Sequence, residues 1–362
     1  MKSNLKSDYI WEKIEKGVFV IAEIGKNFIQ SKNNKTSAEY LKNAKNLIKL
    51  AKNAGADAVK FQTHNLEDEQ VKIKIFSPHF SSTDRYNWVK RNSSITTDFF
   101  LKKIKEYCRK IDIIFFSTPM SRGAAIKLEK IDIPIWKVGS ADILDFALLD
   151  YISKTGKPII ISSGMSKLNE IDAAVKFLKK RNCKIALLYC ISKYPCSKKD
   201  INLAIIDFFK KRYNIPIGFS DHSIDYSSSL AAINRGATII EKHFSLTRDL
   251  WGPDHKVSLT FKEFKEMTDK IKNNNKQKFT IKNKKIKFLL KSEKSFRPFF
   301  RKSLVAARNI KRGEILTKTM IYAMRPQGFI RGLESEKFEE IIGKRINKNI
   351  KKYDAIKEVY LK

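Results

Sequence analysis

Ile215-Pro-Ile-Gly-Phe-Ser-Asp-His222 and, after a small-residue segment, Thr238-Ile-Ile-Glu-Lys-His-Phe244 are two short apolar runs, each with a histidine at or near its end. Their length and composition predict buried strands, and Ser227–Arg235 between them predicts a helix. If both strands belong to one parallel barrel, period-2 alternation and a shared chain direction carry His222 and His243 to the same end. That is the end where such barrels keep their chemistry. Two neutral imidazoles with open coordination positions suit a divalent metal such as Mn, Fe, Co or Zn. Asp221 and Glu241 stand close enough in sequence to ligate or orient it. Spacing alone leaves a second reading open, in which both are hydrogen-bonded core histidines.

Working outward, the same unit repeats. Strand signals lie at Phe19–Ile24, Ala58–Thr63, Ile113–Thr118, Ile135–Val138, Ile159–Ser162 and Ile185–Cys190, before the opening pair. Helical spacing marks Ser37–Asn53, Thr97–Lys110, Arg122–Glu129, Ala147–Thr155, Leu168–Arg181 and Asn202–Arg212, with Phe261–Ile271 last. Strict alternation implies parallel strands with right-handed crossovers. Eight such units close a (β/α)8 barrel of the TIM type. A doubly wound open sheet is the alternative, but no G-x-G-x-x-G turn follows the first strand. Glu23, Lys60, Gln62, Ser140, Asp142, Ser162, Tyr194, Ser220 and both histidines fall at or just past strand C-termini. Lys60, Lys137 and Lys242 sit inside apolar runs, where a lysine is costly unless it meets an anion. A phosphate or carboxylate substrate is the expected counter-charge.

Past Lys272 the chain is rich in Asn and Lys to about Lys291, then turns β-like at Arg301. The expected division is a barrel over 1–275, a linker over 276–298 and a small β domain over 299–362. In that tail Asn309-Ile-Lys-Arg-Gly-Glu-Ile-Leu resembles Asn349-Ile-Lys-Lys-Tyr-Asp-Ala-Ile, an internal repeat that implies pseudo-symmetry. Between the copies, Met324-Arg325-Pro326-Gln-Gly328 presents one arginine.

The formal charge is +35 over 362 residues. The lysines are spread over nearly every predicted helix and no nucleic-acid-reading motif accompanies them, so a nucleic-acid partner is not expected. Four cysteines without C-x-x-C spacing read as reduced thiols in a cytoplasmic protein. No apolar run approaches a membrane span, and no membrane partner is expected. His64, His79 and His255 read as structural or loop residues rather than ligands, and Trp88 as a lid anchor rather than a base.

These residues also occur as ordered motifs. Ile21-Ala-Glu-Ile-Gly, Ala54-Gly-Ala-Asp-Ala-Val-Lys-Phe-Gln-Thr, Trp136-Lys-Val-Gly-Ser, Ser163-Gly-Met, Gly218-Phe-Ser-Asp-His, Ile240-Glu-Lys-His-Phe and Gly252-Pro-Asp-His stand in order along the chain. Over nearly its whole length the chain resembles the bacterial sialic acid synthases and the related enzymes that make legionaminic and pseudaminic acids. Arg301-Lys-Ser-Leu-Val-Ala-Ala and Arg325-Pro resemble their antifreeze-like (SAF) domain. The resemblance implies condensation of phosphoenolpyruvate with an N-acyl hexosamine, usually N-acetylmannosamine, releasing phosphate. It also implies a divalent metal, manganese foremost, on His222 and His243. Lys60, Lys137, Ser140, Ser162, Tyr194 and Ser220 would line the phosphoenolpyruvate site. Gln62 would bind substrate beside Lys60. Glu23, Asp142 and Asp254 would face the sugar and move protons, with Lys60 also catalytic. Arg325 would complete a neighbour's site in a domain-swapped homodimer.

The departures are specific. Asn27 is followed by Phe28 and Ile29 where many members have His-Asn-Gly, Asp142 stands for a glutamate, and Ser192 stands for an asparagine. Tyr353 replaces the glycine of the second tail repeat. The competing function is a non-catalytic carbohydrate- or nucleic-acid-binding protein on a decayed synthase scaffold.

Overall fold

The structure, a computed structural model, describes residues 3–78, 80–273 and 287–362, with side chains from residue 7 onward. His79 and much of the expected linker lie outside the described residues. Eight parallel strands form the main sheet. They are β1 (Phe19–Gly25), β2 (Ala58–Thr63), β3 (Ile114–Pro119), β4 (Trp136–Val138), β5 (Ile159–Ser162), β6 (Ile185–Cys190), β7 (Ile217–Asp221) and β8 (Ile239–His243). Hydrogen-bonded neighbours run β3-β2-β1-β8-β7-β6-β5-β4, and the two ends of that order, β3 and β4, pack side by side to complete the ring. The expected barrel is therefore present.

The opening stretch explains the local geometry. In β7 and β8 alternate residues face inward: Ser220, His222, Glu241 and His243 line one cavity. The intervening Asp221 and Lys242 face outward and pair at 3.2 Å, both fully buried. Asp221 also accepts from Ser229 on the helix Ser227–Asn234. This corrects two expectations. Lys242 meets a protein carboxylate rather than a substrate, and Asp221 is committed to it rather than to a metal. One residue of register decides the matter, because neighbours on a strand point to opposite faces.

Among the described residues, three helices of ten or more residues were not expected. Ser3–Lys16 buries Ile10 and Ile14 in the barrel core, and Ser7 donates to the carbonyl of Pro134 just before β4. Arg85–Ile95 forms inside the long loop after β2, capped by Asp84. Lys291–Phe300 occupies part of the stretch expected to be a linker. Its Glu293 is buried and accepts from the backbone N–H groups of Met165 and Ser192, which straps it across the barrel mouth.

The tail has its own core, built from Leu304, Ile310, Ile321, Phe338, Ile350 and neighbours, packed against Phe146 and Ala147 of the barrel. The internal repeat is reciprocal in space. Ile310 and Ile350 exchange both backbone hydrogen bonds, Asn349 Oδ1 accepts from Arg312 N, and Asn309 Oδ1 accepts from Lys352 N. The tail's antiparallel pair is β9 (Ser303–Ala306) with β10 (Ile321–Met324). At the turn of the first repeat Gly313 has φ +92°, and Tyr353 takes φ 71° at the matching place. The missing glycine therefore costs strain at that turn and nothing at the cavity.

Gly218 is required by packing. A Cβ there would stand 2.5 Å from Leu188 Cδ2 and 2.6 Å from both Ile239 Cβ and Ile239 O. Gly218→Ala should cost about 1–3 kcal/mol of stability, read as a lower denaturation midpoint with an unchanged m-value.

Candidate active site

The cavity at the C-terminal mouth is lined by Glu23, Lys60, Gln62, Lys137, Ser140 and Asp142, and equally by Ser162, Tyr194, Ser220, His222, His243 and Asp254. The structure thus brings the expected site residues together, Arg325 adjoining through Asp142. Each reaches the mouth because its strand ends there or its loop begins there.

Its inner end is a buried charge cluster. Lys60 pairs with Glu23 at 2.7 Å and with Glu241 at 3.6 Å, and Lys137 reaches the other oxygen of Glu241 at 3.6 Å. Lys137 also donates to Ser162 at 2.7 Å, Ser220 donates to Glu241 at 3.0 Å, and Lys60 donates to Thr118 at 3.1 Å. Burial alone would push both carboxylates up. Lys137 and Lys60 overcome it for Glu241, which falls to about 2. For Glu23 burial wins, with Glu241's charge adding to it, and its carboxyl rises to about 7. The inner end therefore holds two lysines against one committed carboxylate and one that carries a proton for part of the time near neutrality. Positive charge is left over for an anionic ligand, so the counter-charge expectation stands for Lys60 and Lys137 after allowing for Glu241. The role of Glu241 as a bridge between lysines was not foreseen; sequence showed it only as a carboxylate beside His243.

The two imidazoles face each other with ring centroids 5.4 Å apart, and Tyr194 stacks on His222 at 4.1 Å. His222 Nδ1 donates to the carbonyl of Ile191 at 2.7 Å, which leaves Nε2 as the free donor atom. Burial holds His243 down to about 4, a neutral imidazole, and its Nδ1 is buried without a protein partner. Two imidazoles at the ends of adjacent strands fit a divalent ion whose other positions go to water and substrate. Burial would lower His222, but Cys190, the Ile191 carbonyl and Asp221 outweigh it and raise it, favouring a proton there that the ion would displace. Among the described residues no cluster of three or more His, Cys, Asp or Glu is placed to hold a metal.

Close approach at the mouth depends on Gly164, where a Cβ would lie 2.4 Å from Ser192 Oγ and 2.6 Å from Ser140 Oγ. Gln62 donates to Glu23 at 2.8 Å. On the tail side Asp142 is fully buried and pairs with Lys302 at 2.9 Å and with the guanidinium of Arg325. Arg325 is itself fully buried, and its backbone N–H donates to Glu69 O at 2.8 Å. The arginine expected to reach a neighbour's site thus reaches Asp142 of its own chain. The tail seats β10 directly on the loop after β2, so no exchange is needed to bring the two side chains together. Lys26, Arg85, Phe296 and Phe300 also line the cavity; no sequence signal marked them, since three lie in loop or linker stretches.

This geometry is shared with known proteins. Residues 47–282 match the NeuB family and residues 301–358 match the SAF domain. The chain belongs to the NeuB family. It is 34% identical to the N,N'-diacetyllegionaminic acid synthase of Campylobacter jejuni over 87% of this chain and 94% of that protein. It is 30% identical to the human N-acetylneuraminate-9-phosphate synthase over 94% of this chain and 91% of that one. The crystal structure of a spore coat polysaccharide biosynthesis protein from Bacillus subtilis superposes with a TM-score of 0.75 at 27% identity, covering 94% of each chain. This NeuB-family chain is accordingly a transferase of the sialic acid synthase group. Among the described residues no helix is long and apolar enough to cross a membrane.

His64 and His255 are structural, as expected: His255 bonds Ser245 at 2.6 Å, and His64 pairs with Glu69 at 2.7 Å, both fully buried. Burial lowers His64 to about 4; burial would raise Glu69, but His64, Arg325 and Lys302 together outweigh it and hold Glu69 at about 2. Both groups therefore bind protons more readily once the chain unfolds. His64 destabilises the fold as pH drops from its ordinary 6.5 toward 4, and Glu69 from 4.5 toward 2. Stability should fall by about 2–3 kcal/mol through the His64 window. Denaturant melts at pH 7 and pH 4.5 check this, and His64→Gln should show a smaller drop.

Proposed function

We propose that this transferase condenses phosphoenolpyruvate with N-acetylmannosamine or a related N-acyl hexosamine, giving a sialic-acid-type sugar and phosphate. The observation that carries the reading is the juxtaposition, in one buried cavity, of the Lys60–Lys137–serine cradle with the facing pair His222 and His243. The names of the legionaminic acid and N-acetylneuraminate-9-phosphate synthases among its relatives support it.

A divalent ion on His222 and His243, manganese foremost, would supply Lewis-acid polarisation of an aldehyde oxygen. The protein's own groups do the rest. Lys60, Lys137, Ser140, Ser162 and Ser220 hold the phosphate and carboxylate of phosphoenolpyruvate with charge-assisted hydrogen bonds. The methylene carbon bonds to the aldehyde carbon, whose oxygen takes up a proton to become a hydroxyl. Water adds at C2 of the developing oxocarbenium, one of its two protons replacing that one and the other leaving with the phosphate. Glu23, placed near neutrality by burial, takes the proton of that water. Phosphate then leaves with its bridging oxygen by C–O cleavage. Tyr194 lines the phosphoenolpyruvate side and Gln62 binds substrate beside Lys60, Asp142 and Asp254 face the sugar, and Arg325 fixes Asp142. The setting is cytoplasmic, where phosphoenolpyruvate is supplied.

Incubating the protein with phosphoenolpyruvate, manganese and a panel of mannosamine derivatives should release phosphate only when both substrates are present. Chelator should stop it and manganese restore it, while His243→Ala should lose most bound metal by elemental analysis. Lys137→Ala should lower kcat/KM for phosphoenolpyruvate at least about thirtyfold. Phosphate release in excess chelator, or none with any sugar, would reject the reading.

Exchange of tails between two chains belongs to the same proposal. The path from barrel to tail runs through residues 274–286, outside the described residues, and the Arg325–Asp142 contact is equally available to a neighbour's tail. His243→Ala and Arg325→Ala should each be severely impaired, yet co-expression should make roughly a quarter of all sites whole by random pairing. A mixture no more active than the mean of the two variants would assign the tail to its own barrel.

A further inference from the structure

The strap helix is held to the barrel through backbone atoms of the mouth loops. Glu293 is almost wholly buried, and its Oε1 accepts from the N–H of Met165 at 2.9 Å and from that of Ser192 at 3.0 Å. Its Oε2 accepts from Leu290 N at 3.2 Å, closing the first turn of its own helix. One carboxylate thus joins three chain segments: the loop after β5, the loop after β6 and the start of the strap. Neighbouring strap residues hold the β5 loop as well. Met165 O accepts from Arg297 at 2.6 Å and from Arg301 at 2.8 Å, and Ser166 O accepts from Lys287 at 2.9 Å.

Both loops lead directly to the anion cradle. Met165 follows Ser162 by three residues and Ser192 follows the end of β6 by two. Ser140, Ser162, Met165 and Ser192 all line the cavity. Ser140 Oγ accepts from Gly164 N at 3.1 Å, so the loop after β4 is keyed to the same segment. Among the described residues, Ser163 Oγ and Ser192 Oγ are buried hydroxyls without a protein partner. Met165 takes φ 53°, in the left-handed region that is unfavourable for a residue with a side chain. The strap grips it there at both its N–H and its carbonyl. A backbone held in such a conformation persists only while its surroundings over-determine it.

We propose that Glu293 is a positioning residue for phosphoenolpyruvate, setting the spacing between the β5 and β6 loops so that Ser140, Ser162 and Ser192 converge on one anionic group. The inference rests on the synthase reading for the identity of that anion. The Glu293 carboxylate is committed to amide N–H groups, which it binds with charge-assisted hydrogen bonds. Without it, two buried amides from different loops lose their partner at once. The serines touch the ligand, and Glu293 acts through them. Binding geometry of this kind is sensitive: a misplacement of roughly 1 Å can cost about a hundredfold in rate.

The test is calorimetric titration of the full-length protein with phosphoenolpyruvate alone and with inorganic phosphate alone, beside steady-state kinetics with mannosamine derivatives. Glu293→Ala should weaken phosphoenolpyruvate binding at least about tenfold and raise its KM to match, with the KM for the sugar within about twofold of the parent's. Inorganic phosphate should lose affinity in the same variant. Glu293→Gln should recover most of the loss, because its amide oxygen can still accept from both N–H groups. A merely structural helix cap would instead lower the denaturation midpoint and the active fraction, leaving the Kd for phosphoenolpyruvate unmoved. If Glu293→Ala fails to fold, Glu293→Asp decides: its carboxylate is one methylene too short to reach both loops, and the same selective loss is expected. Unchanged phosphoenolpyruvate affinity in a folded variant, or equal loss for both substrates, would overturn the proposal, as would failure of the parent to bind either anion. Turnover is scored separately: absence of phosphate release with every sugar would sink the synthase reading, while the anion affinities would still decide this one.

Discussion

Glu241 sits between Lys60 and Lys137, and the chemistry of the cavity depends on that bridge. Inside a barrel, away from water, two ammonium groups repel strongly and each is expensive to desolvate. A single carboxylate shared by both lowers the cost without cancelling the charge. Burial pushes the Glu23 carboxyl up to about 7, with the charge of Glu241 adding to it against the pull of Lys60. One geometric fact thus yields both an anion-seeking cradle and a proton carrier. It requires β1, β2, β4 and β8 to end at the same level, which only a closed parallel barrel with a common direction supplies.

The second constraint is the seam between barrel and tail. Lys302 bonds Met120 O, Asp142 and Asp145, Arg301 bonds the carbonyl of Met165, and Arg122 bonds the carbonyls of Lys318 and Ile321. Buried ion pairs at such a seam are poor sources of net stability, but they penalise any wrong register severely. The tail is thereby set so that Arg325 meets Asp142 and the strap helix lays Phe296 and Phe300 over the cavity. The strap converts an open barrel mouth into a walled pocket, with an inner charged end on the strands and an outer aromatic rim on the loops.

Much of this was legible in the chain. Alternating apolar runs of strand length and helical spacing determined eight βα units, because burial on a strand and on a helix leaves different periods in the sequence. The histidines, the serines and the lysines of the site were legible because they lie at strand ends, where barrel geometry fixes their side. The helices Ser3–Lys16, Arg85–Ile95 and Lys291–Phe300 were not, since lysine and asparagine blur their apolar faces and packing stabilises them more than propensity does.

What the sequence by itself determined was the barrel, the pseudo-symmetric tail and the identities of the groups at the mouth. Only the tertiary structure decided their partners. Lys60, Lys137 and Lys242 look alike in sequence, each a lysine in an apolar run. Two point inward to share Glu241, and the third points outward to Asp221, because side-chain direction follows strand register. Arg85 and Lys26, more than fifty residues apart in the chain, came to line one cavity only through tertiary packing. Long-range contacts of that kind leave no local period to read, so charge, burial and partnership at the rim appear only once the chain has closed on itself.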